Sequence, residues 1–547
     1  MISILAAVAL CALQAGAPQV ESQQRTLVLV NARFWTADST VPWVEAVAIR
    51  GEWIVAAGSR QEVLRAAGGG AVVEDLQGRM VVPGFIDTHT HFNRAGELLL
   101  GVNLLDVADD DGFRRKVGEA HARLPAGSWM VGGDWGAYAL GSSWVPSRRL
   151  LDSLVGDRPA LLNRWDRSIY LASAAALRAA GIDPSSHSGQ VSGVELERVR
   201  AAIPRPSFEQ RLAEARLALA DLARHGVTTI HDNTPAEAMR LFQYLKERDS
   251  LSVRVCARPT LDRVEQLAAL GIETGFGDSW LKICGLKGFV DGIMGNSTAR
   301  FREPYRHRPE SSGQWRAMME PPGNMERLLR LADSAGLTPQ VHAIGDLAVD
   351  TLLDFFEQLI EERPAPRRER RFRVIHAQVV EPDDFARFGS LGIVAEVQPY
   401  HAIDDMRWME ERIGERARWA YAFRSLKRGG ALLVFGSDWP GTNASWYPAD
   451  PILGIYAAVT RQTLEGEPAG GWFPEERLTV QEALEAYTKD AAWAAYEESW
   501  KGRLLPGFVA DLAVLSENLF EIQPSRIKEV RVVRTMVGGR WVYRAEP

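Results

Sequence analysis

His89 and His91 stand two residues apart in VVPGFIDTHTHF, which occupies positions 81–92. Successive side chains of an extended strand point to opposite faces, so these two imidazoles share a face and can share one metal ion. The residues ahead of them are apolar and β-prone and carry a Pro83-Gly84 break. That pattern predicts a buried strand delivering both rings at its C-terminal end, where an α/β barrel keeps its chemistry. An isolated His-x-His is also what a surface turn presents, so the downstream sequence has to decide between the two.

Six of the ten histidines fall at the C-terminal end of a candidate strand: His89, His91, His231, His342, His376 and His401. His342 closes LTPQVHAIGD and His376 closes FRVIHAQ; together with the His-x-His they make a nitrogen-rich site suited to zinc. Asp438, in LLVFGSDWP, offers a carboxylate able to ligate the metal and to act as general base toward water. Its plain alternative is a helix cap or turn residue. Lys287, in KICGLKGFVDG, would face the interior, where burial and nearby positive charge favour the neutral amine. Such an amine can capture carbon dioxide as a carbamate, an anionic ligand able to bridge two ions. Lys282 is its rival in the same strand, and an ion pair with Asp291 is its ordinary role. His231, Asp346, His401 and Asp404 are further candidates for the pocket or its surroundings, and Asp232 or Asp346 could orient a ligand histidine. Trp439, Trp135 and Tyr400 could wall the pocket, although most tryptophans simply pack.

Bringing these groups together requires a scaffold of many strands. Eight candidates, each followed by helix-like sequence, lie at 85–91, 227–231, 252–258, 282–290, 339–343, 372–377, 392–398 and 432–437, the number a TIM-type barrel needs. Amphipathic stretches such as FEQRLAEARLALADLARHG between them support a parallel sheet. Residues 95–206 are too many for a loop and predict an insertion with structure of its own. Short alternating segments before the first strand return near the C-terminus. Residues 25–83 and 497–547 are therefore expected to pair as a small β-sandwich, with 84–496 forming the α/β, distorted (β/α)8 unit.

A chain of 547 residues exceeds what one core supports, so more than one domain is expected. Its 63 basic and 70 acidic residues give a net charge of −7 with no basic stripe, which argues against a nucleic-acid partner. Residues 1–20 hold an apolar run followed by small residues, the order found in a signal peptide, though no Lys or Arg precedes the run. Export to the periplasm or the exterior is expected, without stable membrane insertion after cleavage; a cytoplasmic location follows if the run is not a signal. Cys256 and Cys284 fall in apolar runs, where buried free thiols are the default and one bridge is open to an exported chain.

The motifs VPGFIDTHTHF, LKGFVDG, QVHAIGD, VIHAQ and FGSDWP, with LLPGFVADLAVL near the end, resemble the amidohydrolase superfamily, and more narrowly its YtcJ-like branch, which includes N-substituted formamide deformylase. The resemblance runs from about residue 26 to 543, with the motifs in the family's order. It implies a distorted (β/α)8 barrel with a β-sandwich from both chain ends. It also implies one metal held by His89, His91 and Asp438, a second by His342 and His376, and Lys287 as an N6-carboxylated bridge. One departure stands out. Where relatives carry Asp-x-His in the insertion, this chain has Asp166, Arg167 and Ser168, so no relative's substrate can be carried over.

The resulting expectation is hydrolysis of a non-peptide carbon–nitrogen bond, of amide, N-formyl or carbamate type, in a small-molecule substrate. One or two divalent ions, zinc for preference, would make hydroxide available near pH 7, with Asp438 as general base. A mononuclear deaminase or related hydrolase with unmodified Lys287 and a non-catalytic binding protein are the alternatives. A homo-oligomer is left open.

Overall fold

The computed structural model describes residues 25–546 apart from 138–142, 365, 367–368 and 442–444; the expected signal segment lies outside the described residues. The two ends of the chain meet in one eight-stranded sheet. Its N-terminal members are Leu27–Trp35, Trp43–Val44, Ala46–Arg50, Trp53–Gly58 and Val72–Pro83, and its C-terminal members Leu512–Leu515, Val532–Val537 and Arg540–Arg544. The join is antiparallel, with Leu512 opposite Pro83 and Ala513 opposite Val82. Period-two patterning explains its two buried faces. Leu29, Val47, Ile49, Val81 and Val514 pack together on one side, while Val28, Val30, Ala46 and Ala48 pack with Val63 on the other.

Gly84 carries the chain from this sheet into the next. Its N–H donates to the Asp511 carbonyl at 2.9 Å, and a Cβ there would lie 2.2 Å from Thr228 Oγ1, so only glycine fits. Beyond it, Phe85–Thr90, Val227–Asn233, Arg254–Arg258 and Leu281–Ile283 form one parallel sheet. Leu286–Phe289, Pro339–Ala343, Arg373–His376, Val394–Val397 and Leu432–Phe435 form a second. Parallel bridges join the two sheets, Thr90 with Trp439 and Thr260 with Lys287. Helices including Phe208–Arg224, Asp346–Glu362 and Pro399–Ile413 connect the strands. This is a TIM-barrel-like α/β architecture. The strand expected at 282–290 is two pieces broken at Cys284-Gly285; Gly285 has φ +148° and no room for a Cβ, which would sit 2.4 Å from the Thr338 carbonyl.

Alternation along these strands separates two environments. Ile230, Val255, Val341, Val374 and Ala395 face the helices and join Phe242, Leu352, Phe356 and Leu426 in a single apolar core. The alternate positions His231, Arg258, Gln340, Arg373 and Glu396 are polar, and each is at most 1% exposed. Cys256 and Cys284 form a disulfide with Cα atoms 5.3 Å apart, which corrects the default expectation of free thiols. Two chain segments on neighbouring strands bring the sulfurs together, a proximity that no spacing of 28 residues reveals.

Within 95–206, strands Val102–Asn103, Met130–Trp135, Ala160–Arg164, Tyr170–Ala172 and Gln190–Val191 build a separate five-stranded sheet. It buries its own clusters, one around Phe113, Val117 and Leu151 and another around Leu161, Leu177 and Val199. Among the described residues no helix is long and apolar enough to cross a membrane.

Candidate metal centre

His89 lies on Phe85–Thr90 and is 1% exposed, while His91 follows that strand and precedes the helix Phe92–Leu100. Asp232, on the adjacent strand, fixes this exit by accepting from Thr90 Oγ1 at 3.1 Å and Phe92 N at 2.7 Å. Asp87 links the same strand to the last one through Ser437 N at 2.9 Å and Ser437 Oγ at 2.5 Å. Burial pushes the Asp87 carboxyl up to about 7 in spite of these donors.

The consequence is the position of Asp438. Its Oδ1 lies 3.0 Å from His91 Nε2 and 3.3 Å from His89 Nε2, and its Oδ2 lies 3.8 Å from His401 Nε2. Two sets of ligand atoms come within 4.8 Å of one another, His89 with His91 and Asp438, and His376 with His401 and Asp438. Asp438 belongs to both. Its φ of +57° and that of His376, +75°, lie in the left-handed region, which costs non-glycine residues about 1–2 kcal/mol each. Such strain persists where surrounding structure imposes it, and functional sites are where it gathers.

Hydrogen bonds behind the rings set which nitrogen faces forward. His89 Nδ1 is 2.7 Å from Glu396 Oε1, and His376 Nδ1 is 2.7 Å from Gln398 Oε1, so both present Nε2. His342 Nε2 is 2.8 Å from the Gly292 carbonyl. The His342 and His376 ring centres are 4.6 Å apart, although His342 falls outside both three-residue sets. Burial, then the charge of Lys287, pushes His89 well below its ordinary value of 6.5. Burial, then His342 and His89, does the same to His376. Burial opposes the charge on Asp438, yet the bond from His91 and the neighbouring His89 and His376 hold it well below the usual carboxylate range. Imidazole nitrogens around an ionised carboxylate are a donor set that fits a divalent ion such as zinc.

Lys287 is 1% exposed, its Nζ has no hydrogen-bond partner among the described residues, and it lies 4.8 Å from the Phe289 ring centre. Burial, then Arg258, brings its ammonium down to about 7. The two competing assignments find other places. Asp291 accepts from the backbone of Arg300, Ile344 and Gly345, and Lys282 pairs with Glu497 at 2.8 Å and the Ala495 carbonyl at 3.1 Å.

The remaining candidates divide. His401 stands on the first turn of Pro399–Ile413 rather than at a strand end, with Nε2 buried and, among the described residues, without a hydrogen-bond partner, and its ring centre 3.9 Å from that of Tyr447. His231 is buried lower down, its Nδ1 accepting from Arg373 Nη1 at 2.9 Å. Asp346 is placed elsewhere; at the start of its helix it accepts from Arg302 N and Leu347 N, fixing the preceding loop. Asp404 pairs with Arg407 at 2.9 Å. Of the three aromatic candidates, Tyr400 has its ring centre 6.1 Å from that of Tyr447. Trp439 is fully buried beside Phe92, and Trp135 packs inside the insertion. Arg167 reaches Asp134 at 3.1 Å, within the insertion.

Sequence reasoning missed Asn233, whose Nδ2 lies 3.2 Å from His89 Nε2 and 3.3 Å from His91 Nε2, and also missed Glu396, Arg258 and Gln398. The signal was present. Asn233 is two residues beyond His231 on one strand face, and Glu396 is a lone carboxylate inside the apolar run GIVAEV.

Fold and donor set define a metal-dependent hydrolase of α/β type. The comparisons narrow the class: the model of the Amidohydrolase family matches residues 72–543, and the chain belongs to that family. It is 33% identical to Protein LONG AFTER FAR-RED 3 of Arabidopsis thaliana, over 94% of this chain and 91% of that one. It is 29% identical to the putative amidohydrolase YtcJ of Bacillus subtilis (91% and 96% covered) and 26% identical to the N-substituted formamide deformylase of Arthrobacter pascens (95% and 98%). These likenesses set it in the YtcJ-like branch. A crystal structure of an uncharacterized metal-dependent hydrolase from Pyrococcus horikoshii superposes with a TM-score of 0.73 at 28% identity, over 91% of this chain and 99% of that one.

Proposed function

We propose that the protein hydrolyses a non-peptide carbon–nitrogen bond, of amide, N-formyl or carbamate type, in a small molecule. In this reading the parallel strands close as a (β/α)8 barrel over 84–496, flanked by a β-sandwich from 25–83 and 497–547. His89, His91 and Asp438 would hold one divalent ion and His342 and His376 a second, with Lys287, carboxylated on Nζ, as a further anionic ligand; zinc suits the donors. The observation that carries the reading is the carboxylate of Asp438, with one oxygen against His89 and His91 and the other toward His401.

A divalent ion held there would lower the pKa of a water toward neutrality and would favour attack on a carbonyl. Asp438 takes the proton of the attacking water and returns it to the leaving nitrogen. Asn233, beside both His89 and His91, offers an amide donor at the same mouth. Lys287, brought down to about 7 and with no hydrogen-bond partner for Nζ among the described residues, is suited to carbamate formation. The formamide deformylase relative supports the bond class. Export is part of the proposal, supported by the N-terminal apolar run and by the Cys256–Cys284 bridge, since disulfides persist in oxidising compartments.

A mononuclear deaminase or related hydrolase is the second reading, favoured by His342 standing outside both three-residue sets. Metal analysis of zinc-replete protein, with a screen of N-acyl amino acids, N-formyl amines, carbamates and lactams, tests both. Near two ions per chain and turnover of one class supports the first, and near one ion with an unmodified lysine by mass supports the second. No turnover, together with ligand binding indifferent to Asp438→Asn, would leave a binding protein instead.

A further inference from the structure

Glu396 sits on Val394–Val397 between Ala395 and Val397, and it is fully buried. A carboxylate is costly there unless several donors satisfy it. Arg258 Nη1 donates to Oε1 at 2.8 Å and to Oε2 at 3.1 Å, and Arg373 Nη1 donates to Oε2 at 2.9 Å. Arg258 Nη2 is in turn held by the His231 carbonyl at 2.9 Å, and Arg373 Nη2 by the Ala494 carbonyl at 2.6 Å. The carboxylate is thus clamped from two other strands. What it has left is directed at His89 Nδ1, 2.7 Å from Oε1. Arg258 Nη2 is also near that nitrogen, at a longer 3.4 Å.

An ionised carboxylate can only accept, so the shorter contact puts the imidazole proton on Nδ1. His89 Nε2 then keeps its lone pair, on the side where Asp438 Oδ1 and Asn233 Nδ2 lie. We propose that Glu396 is the positioning residue of the metal centre, holding His89 in the Nδ1–H tautomer and in the orientation that offers Nε2 to the ion shared with His91 and Asp438. The inference rests on the metal-centre reading above.

The rival is a purely structural role, in which Glu396 does no more than neutralise two buried guanidiniums. Side-chain length separates the two. An aspartate at 396 keeps the charge between Arg258 and Arg373 but withdraws the carboxylate by about one bond, ~1.5 Å, from His89. A matched control is Arg254→Met. Arg254 is equally buried, pairs with Asp511 at 2.7 Å, and lies four residues before Arg258 on the same strand, away from the candidate ligands.

The experiment is zinc titration of chelator-stripped full-length protein, with visible absorption of the cobalt-substituted form. Glu396→Asp should keep native circular dichroism, bind zinc about 10–100-fold more weakly and shift the cobalt bands, while Arg254→Met lowers the thermal midpoint with zinc affinity within about threefold of the parent. Unchanged affinity in Glu396→Asp, or an equal loss in Arg254→Met, overturns the proposal. If Glu396→Asp does not fold, nitrogen resonances of 15N-histidine-labelled parent protein decide, with His89 assigned through His89→Gln. A protonated Nδ1 is expected, and a protonated Nε2 overturns the proposal. Failure of the parent to bind zinc would instead defeat the metal-centre reading, with the tautomer still measurable.

Discussion

Asp87 and Ser437 lock the first and last of the parallel strands to each other. One oxygen of Asp87 accepts from Ser437 N at 2.9 Å and the other from Ser437 Oγ at 2.5 Å, and Asp87 also accepts from His89 N at 3.1 Å. His89 is two residues after the acid and Asp438 one after the serine, so this contact fixes how far apart two candidate ligands stand. Ser437→Ala removes a donor from a buried carboxylate and should cost about 1–3 kcal/mol. Urea unfolding will read it, and a loss under about 0.5 kcal/mol, the scale of a neutral surface change, would show that the lock is dispensable.

Asp438 is where both sets of ligand atoms meet, and His342 stands against His376. Asp438→Ala should lower kcat/KM by about 10²–10⁴-fold, the range for loss of a proton-handling group, and His342→Ala, which removes a candidate ligand, by at least about 10–100-fold, with thermal midpoints close to that of the parent. Near-normal turnover in either variant would remove that residue from the centre.

Gly436 lets the last strand pass directly over His89. A Cβ on it would stand 2.6 Å from both the backbone nitrogen and the Cβ of His89, and neither can retreat as a flexible side-chain tip could. Gly436→Ala should therefore cost about 1–3 kcal/mol and reduce bound metal in the folded fraction. Equal stability and metal content would mean that the strands separate freely at this point.

Asp405 gives a pH signature independent of the metal. Burial, then the charge of Asp404, pushes its carboxyl from 3.8 up to about 8, while Tyr421 and Gln378 donate to it. The folded state holds a proton that the unfolded chain has released, so stability is full below about 4 and declines as pH rises toward 8, by at most about 1.4 kcal/mol per pH unit. Asp405→Asn carries no such charge. Its stability relative to the parent, from denaturant midpoints, should improve between about pH 5 and pH 8; a difference constant across that window would show that Asp405 ionises normally.

Periodicity and motif spacing were enough to predict the strands that carry His89, His342 and His376 and the one that Asp438 follows, because strand alternation and apolar runs are local properties. Their order along the chain was equally legible, as was the interior lysine at 287. The sequence could not say which partner each ring turns its back on. Glu396, Arg258 and Gln398 act through contacts 22 to 307 residues apart in sequence, and such pairing depends on strand register, not on any local pattern. For the same reason the tryptophans could be counted but not placed, and Cys256 could not be matched with Cys284. The chain by itself determined which groups were available for chemistry. Tertiary structure alone decided which of them share a single carboxylate, because only parallel strands in register bring residues so distant in sequence within hydrogen-bonding reach.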